Sequence, residues 1–425
     1  MPSTSSGVRP ALRLTNLLLA PATRTRRDPD AVFDRMVAQA SRDRAPLSTE
    51  NAADLDHLRL ALHAFAGFPG LSPLGWAAGQ ELVRLRVRNR VVVGDLRARH
   101  PEVAGEPVTA PVFVVGMPRT GTTLAYNVLS RSPAHRGPRL WEMTFPGLAV
   151  DDATEAALVR RTRRKFAMTS RLSDTWDTIH PMDAASEEED TFIRAHSEMH
   201  AAGVPMPDYL DRLATFDARP DYRFLRDTLQ LLSYGRPERR WVLKHPANLF
   251  HLAAIRDVFP DARFVWTHRA PETAVASLCS LAESAQRIHR RPDAVDLARI
   301  GPEWLAIMSR GVSRALEQRA ALGPDVVLDL SYDRLIGDPG VVLPELFDRL
   351  GARWGADDDA NLAAALDAPR HLPPHRYTLE RFGLEPGEVR AALGGYMDLL
   401  RNLPAWQPAD PRTDSAGGRA PRMRW

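Results

Sequence analysis

Four short apolar runs constrain this chain more than any other feature. They are Pro111-Val112-Phe113-Val114-Val115, Trp241-Val242-Leu243, Arg263-Phe264-Val265-Trp266 and Val326-Val327-Leu328-Asp329-Leu330. Each is brief, rich in β-branched or aromatic residues, and without the apolar–polar alternation of a half-exposed strand. Helical sequence lies between them, as in Asn248–Val258 and Thr273–Arg287. Buried strands alternating with helices predict an α/β fold, a parallel β-sheet flanked by helices.

The flanking regions read differently. Residues 1–108 predict a helical N-terminal extension or cap, with helical spacing in Asn51–Ala66 and one long amphipathic helix from Pro73 to Arg99, ending before Pro101. About 120 residues separate the first and second strands, too many for a single crossover. This stretch carries helical pattern at Thr154–Arg171, Glu187–His200 and Tyr222–Leu232 and predicts an insertion over about 145–238 on the acceptor side. The α/β domain then spans 109–403, and the Pro-, Arg- and Gly-rich residues 404–425 form a loosely ordered tail.

Composition narrows the class. With 44% hydrophobic residues among 425, the chain can bury a large core. A net charge of +3 gives no argument for a nucleic-acid partner, although the sequence pI of about 9.2 leaves local basic patches open. Cys279 stands alone and fits a reducing compartment. No run reaches the ~18 apolar residues of a membrane span. The stretch Leu12–Ala20 is broken by Arg13, Thr15 and Asn16 and followed by Arg24, Arg26 and Arg27, a poor signal peptide. A cytoplasmic protein without a transmembrane segment is expected. Only two of its 56 basic residues are lysines, Lys165 and Lys244.

The chemistry concentrates after the first strand, in Gly116-Met117-Pro118-Arg119-Thr120-Gly121-Thr122-Thr123, with a helix expected from about Leu124. A glycine-bracketed loop at a helix N-terminus aims backbone N–H groups at an anion. Gly116 and Gly121 permit tight turns, and Thr122 and Thr123 add hydroxyls. The glycine spacing agrees with the nucleoside-triphosphatase pattern G-x-x-x-x-G-K-[ST], but Thr122 stands where the lysine belongs. Arg119 supplies positive charge from within the loop instead. That points to a phosphate-bearing donor whose transferring group carries less charge.

This loop resembles that of the sulfotransferases that use 3′-phosphoadenosine 5′-phosphosulfate (PAPS). Pro118 to Thr123 match the family's P-[KR]-[ST]-G-T-T segment, which binds the 5′-phosphosulfate. Arginine at the second position is similar to the branch holding tyrosylprotein sulfotransferases and many bacterial enzymes. The family's 3′-phosphate site is a strand, an arginine, and a serine eight residues later; here Arg269 follows the third run and Ser277 follows Arg269. Leu330-Ser331-Tyr332-Asp333-Arg334-Leu335 resembles the family's Y-[ED]-x-L segment, which implies Tyr332 beside the adenine. His375-Arg376-Tyr377 stands near the segment that closes over the nucleotide in relatives, which makes Arg376 a candidate, although the family's glycine-rich closing loop is not recognisable.

Sulfuryl transfer needs a base, cations on the sulfonate and the leaving phosphate, and in-line reactants. Arg119 suits the leaving group. Lys244, at the carboxyl end of the second run, matches a family lysine at the sulfonate bridge. Glu142, in Leu140-Trp141-Glu142-Met143, resembles in position the catalytic glutamate of tyrosylprotein sulfotransferases, with an ion pair to an arginine as the plainer reading. His245 is a rival base, but one residue after Lys244 it faces the other way on a strand. His180 is a third candidate. The acidic run Glu187-Glu188-Glu189-Asp190 reads as support for a helix N-terminus near Ala185, with no histidine–carboxylate spacing for a metal.

The expectation is a sulfotransferase with a P-loop-like core, moving sulfonate from PAPS to a small-molecule, lipid or natural-product hydroxyl without a metal or nucleic acid. Trp176, Phe192, Tyr209 and Phe216 offer aromatic surface in the insertion. A small-molecule kinase is the alternative, with Asp329 the strand-end acid for Mg2+. A non-catalytic nucleotide-binding scaffold is the other.

Overall fold

The computed structural model describes residues 10–45, 49–172, 182–367 and 378–403. It divides into two compact units. The first comprises Met1–Pro107, Arg139–Glu238 and Leu281–Asp296; the second comprises Val108–Pro138, Arg239–Ser280 and Leu297–Trp425.

The second unit holds the sheet. Its strands are β1 (Val112–Val115), β2 (His135–Arg136), β3 (Arg240–Lys244), β4 (Arg263–His268) and β5 (Val327–Ser331). They lie in the order β2-β3-β1-β4-β5, and every pairing is parallel. Val112 registers with Val242 on one side and Arg263 on the other; Phe264 registers with Val327. All four residues of β1 are buried, which explains its unbroken apolar sequence. Val112, Val114, Val242, Val265 and Leu328 share a core with Leu124, Val128 and Leu129 of the helix Thr122–Arg131. The four sequence runs thus become strands with ends shifted by one or two residues, while the two-residue β2 escaped notice.

Because every strand runs the same way, their carboxyl ends meet at one edge. Gly116 follows β1, Lys244 ends β3, Arg269 follows β4 and Tyr332 follows β5. The chain leaves β1 toward β3 on one side and later returns to β4 on the other. At such a reversal, at the carboxyl edge, open parallel sheets bind ligands.

The first unit is helical. Pro73–Arg99 forms the expected helix, opened by the Ser72 hydroxyl accepting from the Gly75 N–H at 3.0 Å. It is not simply amphipathic: Arg86, Asn89 and Arg90 are buried along with Val83, Val87 and Val91. The expected helix over Glu187–His200 is absent. Only short 3-10 turns form there, at Asp190–Phe192 and Glu198–Ala202. Tertiary bonds replace helical ones. Asp221 accepts from the Ala195 N–H (2.8 Å) and the Arg90 guanidinium (2.7 Å), while Arg86 donates to the Thr191 and Arg194 carbonyls. No helix starts near Ala185 either; the Ala184 and Ser186 carbonyls accept from Trp141 and Leu140 N–H groups. Tyr209 and Phe216 join the core of this unit, and Phe192 packs edge-on to Phe166. Trp176 lies outside the described residues. Among the described residues no helix is long and apolar enough to cross a membrane.

Candidate functional site

Three residues of the loop after β1 adopt positive φ: Gly116 (152°), Arg119 (71°) and Gly121 (92°). A Cβ on Gly116 would lie 2.5 Å from the Thr267 hydroxyl, and one on Gly121 would lie 2.9 Å from the Tyr332 ring. Glycine is therefore required twice, by backbone conformation and by close neighbours. Arg119 has no such excuse. A non-glycine residue held there stores roughly 1–3 kcal/mol of strain, a cost concentrated at functional sites.

The loop is braced from inside. The Thr120 hydroxyl donates to the Met117 carbonyl (2.8 Å) and shares a hydrogen bond with the Thr267 hydroxyl (2.6 Å). Thr120 is fully buried, so its hydroxyl serves the loop itself and only its backbone can address a ligand. Pro118 and Thr122 are buried, whereas Thr123 is exposed at the start of the helix. Thr267, on β4, was not singled out from the sequence. Its only signal is a hydroxyl two residues before Arg269, after the apolar Phe264-Val265-Trp266.

Three cations gather around this loop. The Arg119 Nε donates to the Ser277 hydroxyl at 3.1 Å, and Arg269 Nη1 donates to the Arg119 carbonyl at 3.1 Å. The Arg269 guanidinium lies 4.0 Å from the centre of the Tyr332 ring. Burial pushes the Tyr332 phenol above its usual pKa, opposed by Arg269 and Arg119. Lys244 is buried, with its Nζ 3.4 Å from the Thr123 hydroxyl and 5.9 Å from the Tyr126 ring centre. The Arg269 guanidinium thus meets the Arg119 backbone, while the Arg119 side chain turns to Ser277.

β3 ends at Lys244, but His245 keeps an extended backbone (φ −160°, ψ 135°), so its side chain faces opposite to that of Lys244. Glu142 belongs to the first unit and is almost fully buried between Trp141 and Met143. Its Oε2 accepts from the Arg139 N–H at 3.0 Å, and its Oε1 lies 4.0 Å from Arg236. His180 and Arg376 lie outside the described residues. Asp329, the acid a kinase would need for Mg2+, is held by two Arg319 nitrogens (2.6 and 2.7 Å) and by His268 (2.8 Å). Burial alone would raise its pKa, but these bonds outweigh burial and hold it at about 2. Among the described residues no cluster of three or more His, Cys, Asp or Glu is placed to hold a metal.

The glycines, the loop amides, the nearby cations and an aromatic ring together suit a nucleotide phosphate ligand. Comparison with known proteins agrees in family. Residues 111–356 match the model of the Sulfotransferase family. The omega-hydroxy-beta-dihydromenaquinone-9 sulfotransferases Stf3 of Mycobacterium bovis and Mycobacterium tuberculosis are each 27% identical over 270 residues. That match covers 57% of this chain and 62% of theirs. The crystal structure of sulfotransferase STF1 from Mycobacterium tuberculosis is similar with a TM-score of 0.74 at 28% identity, covering 85% of this chain and 98% of that one. Sulfotransferase STF9 from Mycobacterium avium gives 0.74 at 25% identity, over 87% and 96%. By a family match that spans more than half of its length, the chain belongs to the Sulfotransferase family.

Proposed function

We propose that the chain moves a sulfonate group from PAPS to the hydroxyl of a small-molecule or lipid acceptor by in-line displacement. The observation that carries this reading is the convergence of Arg119, Lys244 and Arg269 on a glycine-turned loop at the carboxyl edge of the sheet. The chain spans less than two thirds of the curated relatives it matches, so their activity is carried over as part of this proposal.

Each residue has a role that its surroundings support. The backbone N–H groups of Arg119 to Thr123, in the turn set by Gly116 and Pro118, hold the 5′ end of the donor with the Thr122 and Thr123 hydroxyls. Arg269 and Ser277 hold the 3′-phosphate, and the Tyr332 ring receives the adenine. The donor supplies an activated sulfonate on a phosphate leaving group. Arg119 steadies charge on that phosphate, and Lys244 steadies the bridging oxygen as the bond to sulfur breaks. Cationic side chains then do what a metal does in phosphoryl transfer, and no metal is needed. Glu142 is assigned as the base that takes the acceptor proton. Its support is its position after the loop and the apolar flanks Trp141 and Met143. The insertion at about 145–238 is assigned to the acceptor. The curated relatives named for an omega-hydroxylated menaquinone derivative favour a lipid alcohol as the first class to try.

Thermal stabilisation tests the donor. Adenosine 3′,5′-bisphosphate (PAP) is expected to raise the melting temperature in the presence of a chelator, and ATP with Mg2+ to raise it much less. A preference for ATP with Mg2+ overturns the reading.

A further inference from the structure

The helix Pro10–Leu19 carries leucines on two opposite sides. Leu12 is buried against Leu74 and Ile288, with Leu19 partly buried beside them, and Asn16 fastens the same side by accepting from the Leu74 N–H at 2.9 Å. On the other side Leu14, Leu17 and Leu18 stand 57%, 71% and 71% exposed. Their i, i+3, i+4 spacing places them in one stripe. Only two other large hydrophobic residues among those described, Val150 and Val341, are comparably bare, and neither has such a neighbour in sequence.

The charge next to this stripe in sequence has one sign. Arg13, Arg24 and Arg27 are exposed, and residues 1–27 contain no Asp or Glu. The first acids beyond are engaged: Asp28 caps the next helix at the Ala31 N–H, and Asp30 and Asp34 pair with Arg59. An apolar stripe flanked in sequence by arginine alone is the composition of a helix that lies in a lipid interface, apolar side down and cations at the headgroups.

We infer that the exposed face of Pro10–Leu19, with Arg13, Arg24 and Arg27, docks on an anionic lipid surface. It does so without crossing the bilayer, and the opposite face keeps its contacts with Leu74 and Ile288. Co-sedimentation of the full chain with vesicles of phosphatidylglycerol and phosphatidylcholine tests this. Bound protein is expected to exceed that on phosphatidylcholine alone by about tenfold and to fall with added salt. The triple substitution L14S/L17S/L18S, at exposed positions, is expected to remove most of the binding while leaving the melting temperature unchanged. Equal sedimentation of the triple variant and the parent overturns the inference, as does failure of the parent to bind. A parent that self-associates without lipid, through the same leucines, also overturns it, because a second copy would then cover the stripe.

A second feature stands on different residues, all within the sheet-bearing unit. His268 directly precedes Arg269 at the end of β4. Its Nδ1 lies 3.2 Å from the Tyr396 hydroxyl, and its Nε2 lies 2.8 Å from Asp329 Oδ1. Two Arg319 nitrogens close the series on the same carboxylate. Each donor finds one acceptor only if Tyr396 donates to Nδ1 and His268 carries its proton on Nε2. His268 and Tyr396 are buried and stack with Trp266.

The geometry points to Tyr396, His268 and Asp329 as positioning residues that fix the backbone of Arg269. This rests on the proposed role of Arg269 at the 3′-phosphate. The test is Tyr396→Phe, which keeps the ring and removes the hydroxyl. Affinity for PAP is expected to fall about tenfold while that for adenosine 5′-monophosphate stays unchanged, because only the 3′-phosphate arm is disturbed. Asp329→Asn is expected to shift the same ratio in the same direction. Equal losses for both nucleotides, or no loss, overturn the positioning role. A parent protein that does not prefer the bisphosphate defeats the proposed function instead, so the two failures are distinguishable.

Discussion

The Arg269 guanidinium lies 4.0 Å from the centre of the Tyr332 ring, and the same ring closes over Gly121 so tightly that a Cβ there would sit 2.9 Å away. One tyrosine therefore orients the arginine assigned to the 3′-phosphate and caps the loop assigned to the 5′ end. Arg269→Lys keeps the charge but loses the planar fork and the stacking. A loss of roughly 1–2 kcal/mol in PAP binding is expected, about tenfold, with a larger loss for Arg269→Ala. Calorimetric titration checks it; a lysine variant that binds like the parent would sink the role.

Arg119 opposes stability to function. At φ 71° its backbone favours glycine. Arg119→Gly is therefore expected to be more stable than Arg119→Ala by about 1 kcal/mol in denaturant unfolding. Both variants should lose sulfonate transfer to the same extent. Equal stability of the two would mean that the loop carries no strain at this position.

Lys244 is expected to act on turnover rather than on binding. Buried at the end of β3 and 3.4 Å from the Thr123 hydroxyl, it has a fixed reach. Lys244→Met should lower kcat about a hundredfold or more, in line with loss of one preorganised charge, while PAP affinity changes little. A change confined to KM would assign the lysine to binding instead.

Much of this was legible in the sequence. The strands were visible because a strand buried on both faces needs an unbroken apolar run, and β1 has all four residues buried. The loop was visible because its glycines are set by local backbone geometry. What escaped depends on distant partners. The inward turn of Thr120 requires Thr267, 147 residues further on. The absence of a helix over Glu187–His200 requires Asp221 and Arg86, which draw its backbone N–H and carbonyl groups away from helical pairing. Glu142 was visible as an acid among apolar neighbours, but its bond to the Arg139 N–H, which stabilises its own short helix, was not.

Acid should destabilise the helical unit through His196. Burial pushes this histidine down to about 4, despite the pull of Asp221 at 3.4 Å. The folded state thus favours the neutral ring. Its contribution is full above the unfolded value of about 6.5 and is lost as pH falls from there toward 4, an effect of a few kcal/mol. Urea unfolding at neutral and at mildly acidic pH measures the slope, which His196→Leu should flatten. An unchanged slope would contradict the assignment.

Cys279 offers a probe of global opening. Burial pushes its thiol up to about 12. As the only cysteine in the chain, it is expected to resist alkylation in the native state and to react fully once unfolded. Rapid native-state labelling would show that the helix Pro271–His289 opens locally.

Sulfonate transfer by the chain's own cations is tested most directly by following labelled sulfonate from PAPS into a panel of alcohols that includes hydroxylated isoprenoid quinols, with a chelator present. Label is expected in an acceptor hydroxyl with the parent protein, and none with Arg119→Ala. A Glu142→Gln variant is expected to bind PAP normally but to turn over at least tenfold more slowly. Label transfer that requires a divalent metal, or that survives the loss of Arg119 undiminished, would contradict transfer by the chain's own cations.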